Sequence, residues 1–592
     1  MAATVLVWWR PVALLGVVVA TLPLLNLSLW SGREYVDEFD VLVLLCLAAT
    51  LCSRFRVERF PFLDRSLSVL MAAVLACTFL AAVAAWAPWN TAALMGIDGP
   101  LSPWMSLRLF KGVLWAGALC WVLRRQHAAG LPVQQSLAAG MVLGLVGVVA
   151  VVVWERVTFV GLLDTATPYR VAGPVLPMRL GGSYLDVFLV TGYAFAWTGL
   201  LRARSTAWRA VCALAALGGT YAIAVTFTRT TYLAAVVVAI VSVLFWVRAI
   251  DLRNGLQRGL LLLCIPVAAV VWVFFAGGSF AMARFMAVGE DLQTRMAHVV
   301  QVVEVARASG HQGLWGRGLG RYPVDNYWSR ASTSLDRSEM AVHQFQRSHG
   351  LGVLQMGPGK GLYVDQAIAW QSSSRVKVAL RTRSAGSGGI LQLSLCEKWL
   401  LASSRCVVQT VDGPDASGEW IERDVDLASS AIGMSGRPVR FSLANVGPVR
   451  IDIDNISLRD DRGVEVLRNA SFESGSDHWT FTSDDHLSWH VHNMLVAIWY
   501  DMGWAGVLAF GGLLALAIGR SGRAVWCGNG HAQAAFVALL GLMVVSVFDA
   551  VVDEPRFLLL LLLLAWLAAT FSRKTEATSA DHNSTHLTRE AA

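Results

Sequence analysis

Apolar runs of about 20 residues recur along this chain of 592 residues and constrain its fold more than any other feature. At a rise of about 1.5 Å per residue, each run is long enough to cross a hydrocarbon layer of about 30 Å as a helix. The residues are 55% hydrophobic, whereas soluble chains hold about 45–50%. The sequence therefore predicts an all-α polytopic membrane protein. Its twelve expected spans are 11–30, 40–52, 67–87, 107–123, 133–153, 183–201, 207–225, 231–250, 259–278, 494–519, 531–551 and 556–572.

The distribution of arginine predicts the orientation, because basic residues resist translocation across the membrane. Arginines follow every even-numbered span, as at Arg124, Arg202 and Arg523, whereas the loop 31–39 on the opposite side is acidic. Both termini are therefore expected in the cytoplasm. This topology accounts for much of the net charge of +7, and no cluster of basic and aromatic residues suggests nucleic acid binding.

Residues 279–490 interrupt the apolar pattern and are expected to form a large periplasmic loop. Within it, 281–309 has apolar residues three and four apart, which predicts a helix. From about 361 to 460 the period changes to two, and the segments are separated by Gly, Ser, Asp and Pro, which is typical of sandwich strands. Cys396 and Cys406 lie in this loop, in an oxidising compartment, and could close a hairpin disulfide.

These patterns divide the chain into six segments. They are transmembrane helices one to nine (1–278), a periplasmic helical segment (279–350), a periplasmic β-sandwich or jelly-roll insert (351–465), a periplasmic return segment (466–493), transmembrane helices ten to twelve (494–572) and a cytoplasmic tail (573–592). The tail is polar and nearly free of large apolar residues, so we expect it to be disordered.

Three predicted spans begin at the periplasmic face, near Tyr184, Thr231 and Met494. A helix start carries unpaired backbone N–H groups and the positive end of the helix dipole, and both favour phosphate. Three such starts near one surface would make a pyrophosphate site.

Arginines on the periplasmic side run against the usual charge preference and invite a functional explanation. Arg170 and Arg179 precede the sixth span, and Arg229 immediately precedes the eighth. Each could instead snorkel to the lipid headgroups or cap a neighbouring helix. A functional role is favoured most for Arg229, because its short loop holds the guanidinium at the membrane boundary, where a partner is required. Arginine can bind phosphate with two hydrogen bonds and stays charged.

The segment WHVHNMLVAIWYDMGWAGVL, residues 489–508, is the most informative stretch of the chain. His492 lies just before a predicted helix, and Asn493 is a good N-cap. Gly503 and Gly506 would permit close helix packing. With an ordinary pKa of about 6.5, a histidine here could accept a proton at neutral pH. A lone histidine at a helix start is nevertheless more often a cap or a surface residue.

The pattern HN-x-L-x7-G-x-x-G at 492–506 resembles the signature of the O-antigen ligase and polymerase family, the Wzy-type membrane glycosyltransferases. The segment 228–234 (TRTTYLA) is similar to the family's (S/T)-R-x-x-x-L-A element. Residues 295–320, with Arg295 and three alternating glycines, resemble its Arg-containing amphipathic helix ending in Gly-x-Gly-x-Gly. The order and spacing of these elements, over roughly 130–515, are fairly specific.

The β-rich insert departs from the simplest pattern of that family. It is similar to carbohydrate-binding jelly rolls, because NASFESGSDHW at 469–479 resembles their Asn–Phe–Glu–Gly–Trp opening. Trp370, Trp399 and Trp420 could stack on sugar rings. They could equally belong to the core of the sandwich, where aromatic side chains are routinely buried.

The resemblance implies glycosyl transfer at the periplasmic face of a bacterial inner membrane, with no metal or other cofactor. The donor would be a glycan on polyprenyl pyrophosphate, in contact with membrane lipid, and the acceptor a glycan or lipid A core. His492 would deprotonate the acceptor hydroxyl. Arg229, helped by Arg170, Arg179 or Arg295, would stabilise the charge that develops on the pyrophosphate. Attack from the opposite face would invert the anomeric centre.

Three other functions remain open at this point. A polymerase of the same family would extend another repeat unit, whereas a ligase would modify lipid A core, and a sugar-binding insert leans slightly towards exopolysaccharide polymerisation. A glycolipid transporter would place charges near the bilayer midplane, but the predicted helix interiors are nearly free of charge, Asp186 being the exception. A membrane-held sugar receptor would not need about twelve spans.

Overall fold

The computed structural model of the chain describes residues in six ranges, which are 2–25, 36–53, 64–86, 104–175, 184–248 and 286–571. Within them, gaps fall at 165, 168, 287, 312, 334–340, 349–350, 360, 371–374, 400–401, 414–417, 429–431, 434–437, 461 and 484–488. The predicted ninth span, the predicted tail and Arg179 lie outside the described residues.

Helices dominate the described part of the chain. In chain order they are α1 (Ala2–Trp9), α2 (Ala13–Thr21), α3 (Glu38–Cys52), α4 (Arg65–Ala84), α5 (Trp104–Ala128), α6 (Val133–Phe159), α7 (Tyr184–Arg202), α8 (Thr206–Thr226), α9 (Arg229–Arg248), α10 (Val288–Ala308), α11 (Tyr322–Thr333), α12 (Met494–Trp526), α13 (Gly530–Ser546) and α14 (Pro555–Thr570). Among the described residues, seven helices, α4 to α9 and α12, are long and apolar enough to cross a membrane. They indicate a multi-pass membrane protein, as expected, whereas the full set of twelve spans stays a prediction.

Helices α7 and α14 lie at the centre of the helical bundle. All residues of α14 from 555 to 569 are buried, as are those of α7 from 184 to 198. A helix that is apolar on all sides has no face suited to water, so burial is expected. The outer helices instead expose large apolar side chains, among them Phe79, Leu214 and Leu508. Such a surface is suited to lipid.

Two antiparallel sheets of five strands form a β-sandwich between α11 and α12. Its strands are β1 (His343–Ser348), β2 (Leu351–Met356), β3 (Leu362–Ile368), β4 (Arg375–Ser384), β5 (Ile390–Trp399), β6 (Ala402–Asp412), β7 (Ile421–Ala428), β8 (Val439–Asn445), β9 (Ile451–Arg459) and β10 (Thr480–Ser483). The strand order is β1-β2-β9-β4-β7 in one sheet and β10-β3-β8-β5-β6 in the other. The helical membrane protein therefore carries a β insert.

The alternation that predicted strands is visible in the sandwich core. Val376 and Leu380 of β4 and Phe441 of β8 are buried in one apolar core shared by the two sheets. The strands begin before 351, and β10 comes from the segment predicted as a return to the membrane. The sandwich is therefore longer than the alternating pattern alone, because strand pairing recruits segments without clear alternation. Cys396 and Cys406 lie opposite each other in β5 and β6 and form a disulfide.

Helix α10 falls within the helix predicted at 281–309, and it separates three kinds of side chain. One side faces the protein and carries Arg295 and the buried His298. A second side carries an exposed apolar strip, which consists of Leu292, Met296 and Val300. Polar residues such as Gln293 and Glu304 are exposed on the third side. This pattern is typical of a helix that lies at the interface between membrane and water.

Candidate active site

Several helix starts lie near one another where the chain enters and leaves the sandwich, and we call this the sandwich side of the bundle. α10 precedes the sandwich and α12 follows it. The start of α9 lies there too, since Arg229 forms an ion pair of 2.7 Å with Asp291 of α10. Helix starts carry unpaired N–H groups and partial positive charge. The sandwich side is therefore suited to an anion.

His492 lies on the sandwich side, immediately before the N-cap of α12, and its side chain is only 3% exposed. Its Nδ1 is 3.3 Å from Oδ1 of Asp549, a buried carboxylate between α13 and α14. A carboxylate that accepts a hydrogen bond from Nδ1–H selects the tautomer in which Nε2 can accept a proton. The centre of the ring lies 5.6 Å from that of His298. The imidazole of His492 is therefore buried and held in one orientation.

Asn493 caps α12, as the sequence predicts, and also anchors it. Its Oδ1 accepts a hydrogen bond of 3.1 Å from the N–H of Val496. Its Nδ2 donates to the carbonyl of Val547 at 2.9 Å. Because these bonds hold the residue next to His492 on both sides, they restrict the position of the imidazole.

Residues 547–556, which include the segment between α13 and α14 and the first two residues of α14, form one wall of the site, and the sequence analysis did not single them out. On the site, the contacts are those of Phe548 with Arg295, Asp549 with His492, and Asp553 with His490. Away from the site, Glu554 pairs with Arg108 and Arg556 pairs with Asp37, at 2.6 and 2.8 Å. The sequence did contain a signal for this wall, namely four charged residues near the ends of predicted spans. Such residues usually have partners and functions.

Helix α10 connects two of the predicted arginines to the site. Arg229 reaches α10 through Asp291, and its side chain is 19% exposed. Arg295 projects from α10 to the wall, where it donates a hydrogen bond to the carbonyl of Phe548. Its guanidinium also lies 5.7 Å from the centre of the Phe548 ring. Arg295 is therefore placed one residue away from Asp549.

Arg170 contacts the turn between α8 and α9. Its guanidinium donates to the carbonyl of Thr226 at 3.2 Å and to the hydroxyl of Thr228 at 2.9 Å. Asp186 of α7 lies near Arg170 and Asp549, because both interact electrostatically with its carboxylate. The structure thus brings together Arg170, Arg229, Arg295 and His492, while Arg179 lies outside the described residues.

The two glycine motifs interlock. Helix α12 is broken at Gly503, where φ is 67°, and the loop 313–320 supplies hydrogen bonds at the break. Its N–H groups bond to the carbonyls of Tyr500 and Asp501, and its carbonyls accept from the two residues after Gly503. A Cβ on Gly503 would lie 2.3 Å from the carbonyl oxygen of Leu314. Gly503 therefore permits a loop to approach the helix, whereas the sequence suggested close packing of a second helix.

The glycines of the loop permit close approach to neighbouring helices, Gly316 to α12 and Gly318 to the end of α4. Gly316, Gly318 and Gly320 all have positive φ, at 73°, 115° and 68°. A Cβ on Gly316 would lie 2.5 Å from the backbone of Asp501. Only glycine adopts such backbone angles readily while leaving this space empty. The expected turn is thus a loop docked against the broken helix.

Aromatic side chains connect the sandwich to the site. The ring of Tyr327 in α11 stacks on that of Trp489, three residues before His492, at 6.2 Å between centres. The Tyr327 hydroxyl also bonds to the backbone of His343 in β1. Burial lowers the pKa of His343 to about 4, and its Nε2 lies 2.9 Å from the carbonyl of Leu362. Burial therefore keeps this imidazole uncharged at neutral pH.

The tryptophans suggested for sugar stacking have different surroundings. Trp370 is partly buried against the sandwich core and donates to the carbonyl of Ile432 at 3.3 Å. Trp420 lies beside β7, with the guanidinium groups of Arg381 and Arg383 at 5.4 and 4.8 Å from its ring. The side chain of Trp399 lies outside the described residues. Trp370 has the contacts of a core residue.

The site combines a buried histidine oriented by a carboxylate with arginines of a kind that can bind an anion. No protein-family model matches the chain, and no curated protein is significantly similar to it. Its function is therefore inferred from its own residues and their geometry.

Proposed function

We propose that this protein is an O-antigen ligase-like glycosyltransferase that moves a glycan from polyprenyl pyrophosphate to an acceptor hydroxyl. The contact between His492 and Asp549 carries the proposal, because it sets an oriented base beside arginines at the ends of membrane helices. A lipid-linked donor requires a site at the surface of the membrane, where the membrane helices end. Its polyprenyl chain stays in the membrane, while its pyrophosphate and sugar lie at the surface.

We assign the sandwich side to the periplasm of a bacterial inner membrane, with both termini in the cytoplasm. Arginines after the even-numbered predicted spans support this orientation. The disulfide between Cys396 and Cys406 supports it independently, because disulfides persist in oxidising compartments.

His492 takes the proton of the acceptor hydroxyl on Nε2, and Asp549 stabilises the imidazolium that results. The acceptor oxygen forms its bond to the anomeric carbon as the bond from that carbon to the pyrophosphate oxygen breaks. The leaving pyrophosphate keeps the electron pair, and Arg295, Arg229 and Arg170 stabilise its charge together with the helix starts. Attack opposite the leaving group inverts the anomeric centre. The residues supply this chemistry without requiring a metal or cofactor.

The acceptor defines the two forms of the proposal. A ligase transfers the glycan to lipid A core, and an exopolysaccharide or O-antigen polymerase transfers it to another repeat unit. A sandwich beside the site supports the polymerase, since a growing chain needs to be held. A glycolipid transporter is disfavoured, because the charged groups of the site cluster around helix ends instead of lining a path through the bilayer.

An in vitro transfer assay tests the proposal. The purified protein in lipid nanodiscs is given polyprenyl-pyrophosphate oligosaccharide, either with lipid A core or with no other acceptor, and products are separated by gel and identified by mass. We expect His492→Ala to abolish transfer while the protein inserts normally. The matched control is His478→Ala, because His478 is an exposed histidine of the sandwich, and it should retain full activity.

The products separate the alternatives. Modified lipid A core identifies a ligase, and a ladder of repeats without added acceptor identifies a polymerase. An intact donor in both reactions, with a related transferase active in parallel, contradicts the proposal and favours transport. Full activity of His492→Ala would remove this histidine as the base.

A further inference from the structure

One sheet of the sandwich carries a row of polar side chains across four neighbouring strands. Gln344 of β1 lies opposite Gln355 of β2. Gln355 lies opposite Asp452 of β9, and Asp452 lies opposite Arg383 of β4. Side chains opposite each other on paired strands project from the same face of the sheet. Because neighbouring strands are about 4.8 Å apart, these four residues, which we call the polar row, span about 14 Å.

The polar row lies on the outer face of its sheet. Leu354 and Ile453, which are neighbours of its members in the chain, belong to the core shared by the two sheets. Since successive side chains of a strand project to opposite faces, the row projects away from that core. Gln344 and Gln355 are half-buried, and 35% of the Arg383 side chain is exposed. A ligand in solution can therefore reach the row.

An aromatic ring lies at the Arg383 end of the polar row. Trp420 immediately precedes β7, the strand that pairs with β4. The centre of its ring is 4.8 Å from the guanidinium carbon of Arg383. An aromatic side chain supplies a large apolar surface of fixed shape, and the C–H face of a sugar ring packs well on such a surface. The row thus combines hydrogen-bonding groups with a stacking group.

Contacts among these side chains hold them in place before a ligand binds. Gln346 donates a hydrogen bond of 3.0 Å to Oε1 of Gln344. Oδ2 of Asp452 accepts a hydrogen bond of 2.7 Å from Arg383, and its Oδ1 lies 3.0 Å from Nε of Arg450. A ligand loses less free energy to side-chain ordering when the groups that bind it are already held. The polar row is therefore preorganised.

The chemistry of the polar row selects the kind of ligand. Its amides, carboxylate and guanidinium place hydrogen-bond donors and acceptors in one line, and a glycan presents hydroxyls that donate and accept along its whole length. The charges of Asp452 and Arg383 offset each other, so a polyanion gains little attraction here. A protein partner would favour an apolar centre, whereas the aromatic ring lies at one end. These features favour a glycan.

The Gln344 end of the polar row lies next to the contact that joins the sandwich to the candidate active site. His343 precedes Gln344, and its backbone bonds to the hydroxyl of Tyr327. The ring of Tyr327 stacks on Trp489, three residues before His492. The row therefore begins at the part of the sandwich that is connected to the site.

We propose that the polar row and Trp420 bind a glycan chain along the outer face of this sheet. The assignment of that glycan as the acceptor or product of transfer rests on the proposed function. The amides and Arg383 form hydrogen bonds with hydroxyls of successive sugars, while Trp420 packs on a sugar ring at the end of the row. Binding is non-covalent, and the row takes no part in the bond changes of transfer.

Two variants test the polar row, each with a matched control in the other sheet. Gln355→Ala removes an amide without changing the charge, and Arg383→Ala removes the guanidinium. Gln409→Ala and Arg405→Ala are the controls, because Gln409 and Arg405 are exposed residues of β6. The controls thus remove the same kinds of side chain from a different surface of the sandwich.

Binding is measured on the full chain in nanodiscs by native mass spectrometry. The probe is the oligosaccharide released from the lipid-linked donor by mild acid. We expect Gln355→Ala to weaken binding at least about fivefold and Arg383→Ala at least about tenfold, because each removes hydrogen bonds to the glycan. Gln409→Ala and Arg405→Ala should stay within about twofold of the unchanged protein.

Hydroxyl-radical labelling, read out by mass spectrometry, locates the bound oligosaccharide. We expect the oligosaccharide to reduce oxidation of Trp420 at least about threefold, because a sugar ring covers the indole. Trp526 at the end of α12 is the reference, since it is 63% exposed and lies outside the sandwich. Its oxidation should not change.

Thermal unfolding separates binding from folding. Arg383→Ala breaks an ion pair with Asp452, whereas Gln355 carries no charge. We expect Gln355→Ala to unfold within about 2 °C of the unchanged protein, so its binding decides the outcome. A larger decrease would assign Gln355 a structural role and overturn the row. So would unchanged binding in both variants, equal losses in the controls, an unprotected Trp420, or failure of the unchanged protein to bind.

Failure of the polar row and failure of the proposed function are distinguishable. Normal transfer by the unchanged protein, with unaltered oligosaccharide binding by the variants, removes only the row. Weakened binding in the variants, with no transfer by the unchanged protein, supports a glycan-binding sandwich in a protein that is not a transferase.

Discussion

At the scale of single residues, the site depends on charged groups whose partners lie far away in the chain. His492 and Asp549 are 57 residues apart, and Arg229 and Asp291 are 62 apart. A base of this kind is effective only when its ring is held in one orientation and one tautomer. In the proposed mechanism Asp549 holds the ring of His492, so its removal should affect the reaction more than the fold.

We expect Asp549→Asn to lower kcat at least about 100-fold, because an amide can donate to Nδ1 and stabilise the wrong tautomer. Steady-state transfer measured at several donor concentrations separates kcat from KM. Protein level and thermal unfolding serve as controls for folding. A kcat within threefold of the unchanged protein would contradict the role of Asp549.

Two arginines of α10 offer a comparison within one helix. Arg295 reaches the site wall, whereas Arg307 is exposed in the last turn. We expect Arg295→Ala to reduce kcat/KM for the donor about 100-fold, because it removes a cation that stabilises the leaving pyrophosphate in the proposed mechanism. Arg307→Ala should stay within twofold. Equal losses in the two variants would indicate a general effect of charge on α10 instead of a specific contact.

At the scale of elements, the broken helix α12 and the loop 313–320 act as one unit. The loop makes hydrogen bonds that an unbroken helix would make internally, so the break leaves these backbone groups satisfied. This matters near lipid, where an unsatisfied backbone group costs several kcal/mol. The same unit ties the segment that follows α10 to the helix that follows His492.

Substitution of glycine should show this coupling. Gly503→Ala places a Cβ against the carbonyl of Leu314 at positive φ, and we expect it to destabilise the protein by about 2 kcal/mol or more. Gly519→Ala is the control in the same helix, because nothing lies within 4 Å of its added Cβ. It should be neutral or stabilise by up to about 1 kcal/mol. Thermal unfolding in nanodiscs measures both, and equal effects would argue against the interlock.

The contact between α11 and the sandwich should depend on pH. Burial lowers the pKa of His343 to about 4, so the folded state binds fewer protons there than the unfolded state. The contribution of the neutral imidazole to the free energy of unfolding is complete above about pH 6.5. As the pH falls towards 4, this contribution decreases by up to about 3 kcal/mol. Hydrogen exchange of β1 and β3, corrected for intrinsic rates, should report weaker protection at pH 5 than at pH 7. His343→Gln should abolish this difference, and a difference that persists would assign it to other groups.

At the scale of the whole molecule, the membrane region and the sandwich meet at the site. The ring of Tyr327 lies between Trp489 and Phe481 of β10, at 6.2 Å from each. These rings connect the sandwich to Trp489, which precedes His492 by three residues. A glycan held by the sandwich would therefore lie near the transfer chemistry.

Labelling of cysteines tests the orientation of the whole chain. Cys527, after α12, is free and exposed, and the proposed topology places it in the cytoplasm. We expect a membrane-impermeant maleimide to label Cys527 only after lysis of spheroplasts. A cysteine introduced at the exposed Asp477 of the sandwich side should be labelled in intact spheroplasts. The reverse pattern would invert the topology and remove the periplasmic assignment.

Local patterns in the sequence were sufficient for the class of the protein and for its β insert. Apolar runs report burial in lipid, alternation reports strands, and Asn493 before an apolar run reports a helix start. Each signal is carried by neighbouring residues, because each arises from one helix or one strand. His492 and Arg229 were found in the same way, through their places at helix starts.

Tertiary structure alone decided which groups meet. The contact of Asp549 with His492, the position of Asp186 beside Thr231, and the docking of Gly316 against Asp501 each join separate elements. Such contacts follow from how helices pack and from where a loop docks, and neither leaves a periodic trace in the chain. The sequence by itself therefore determined the elements and their likeness to known motifs. Only packing determined the pairs of residues that can carry out chemistry.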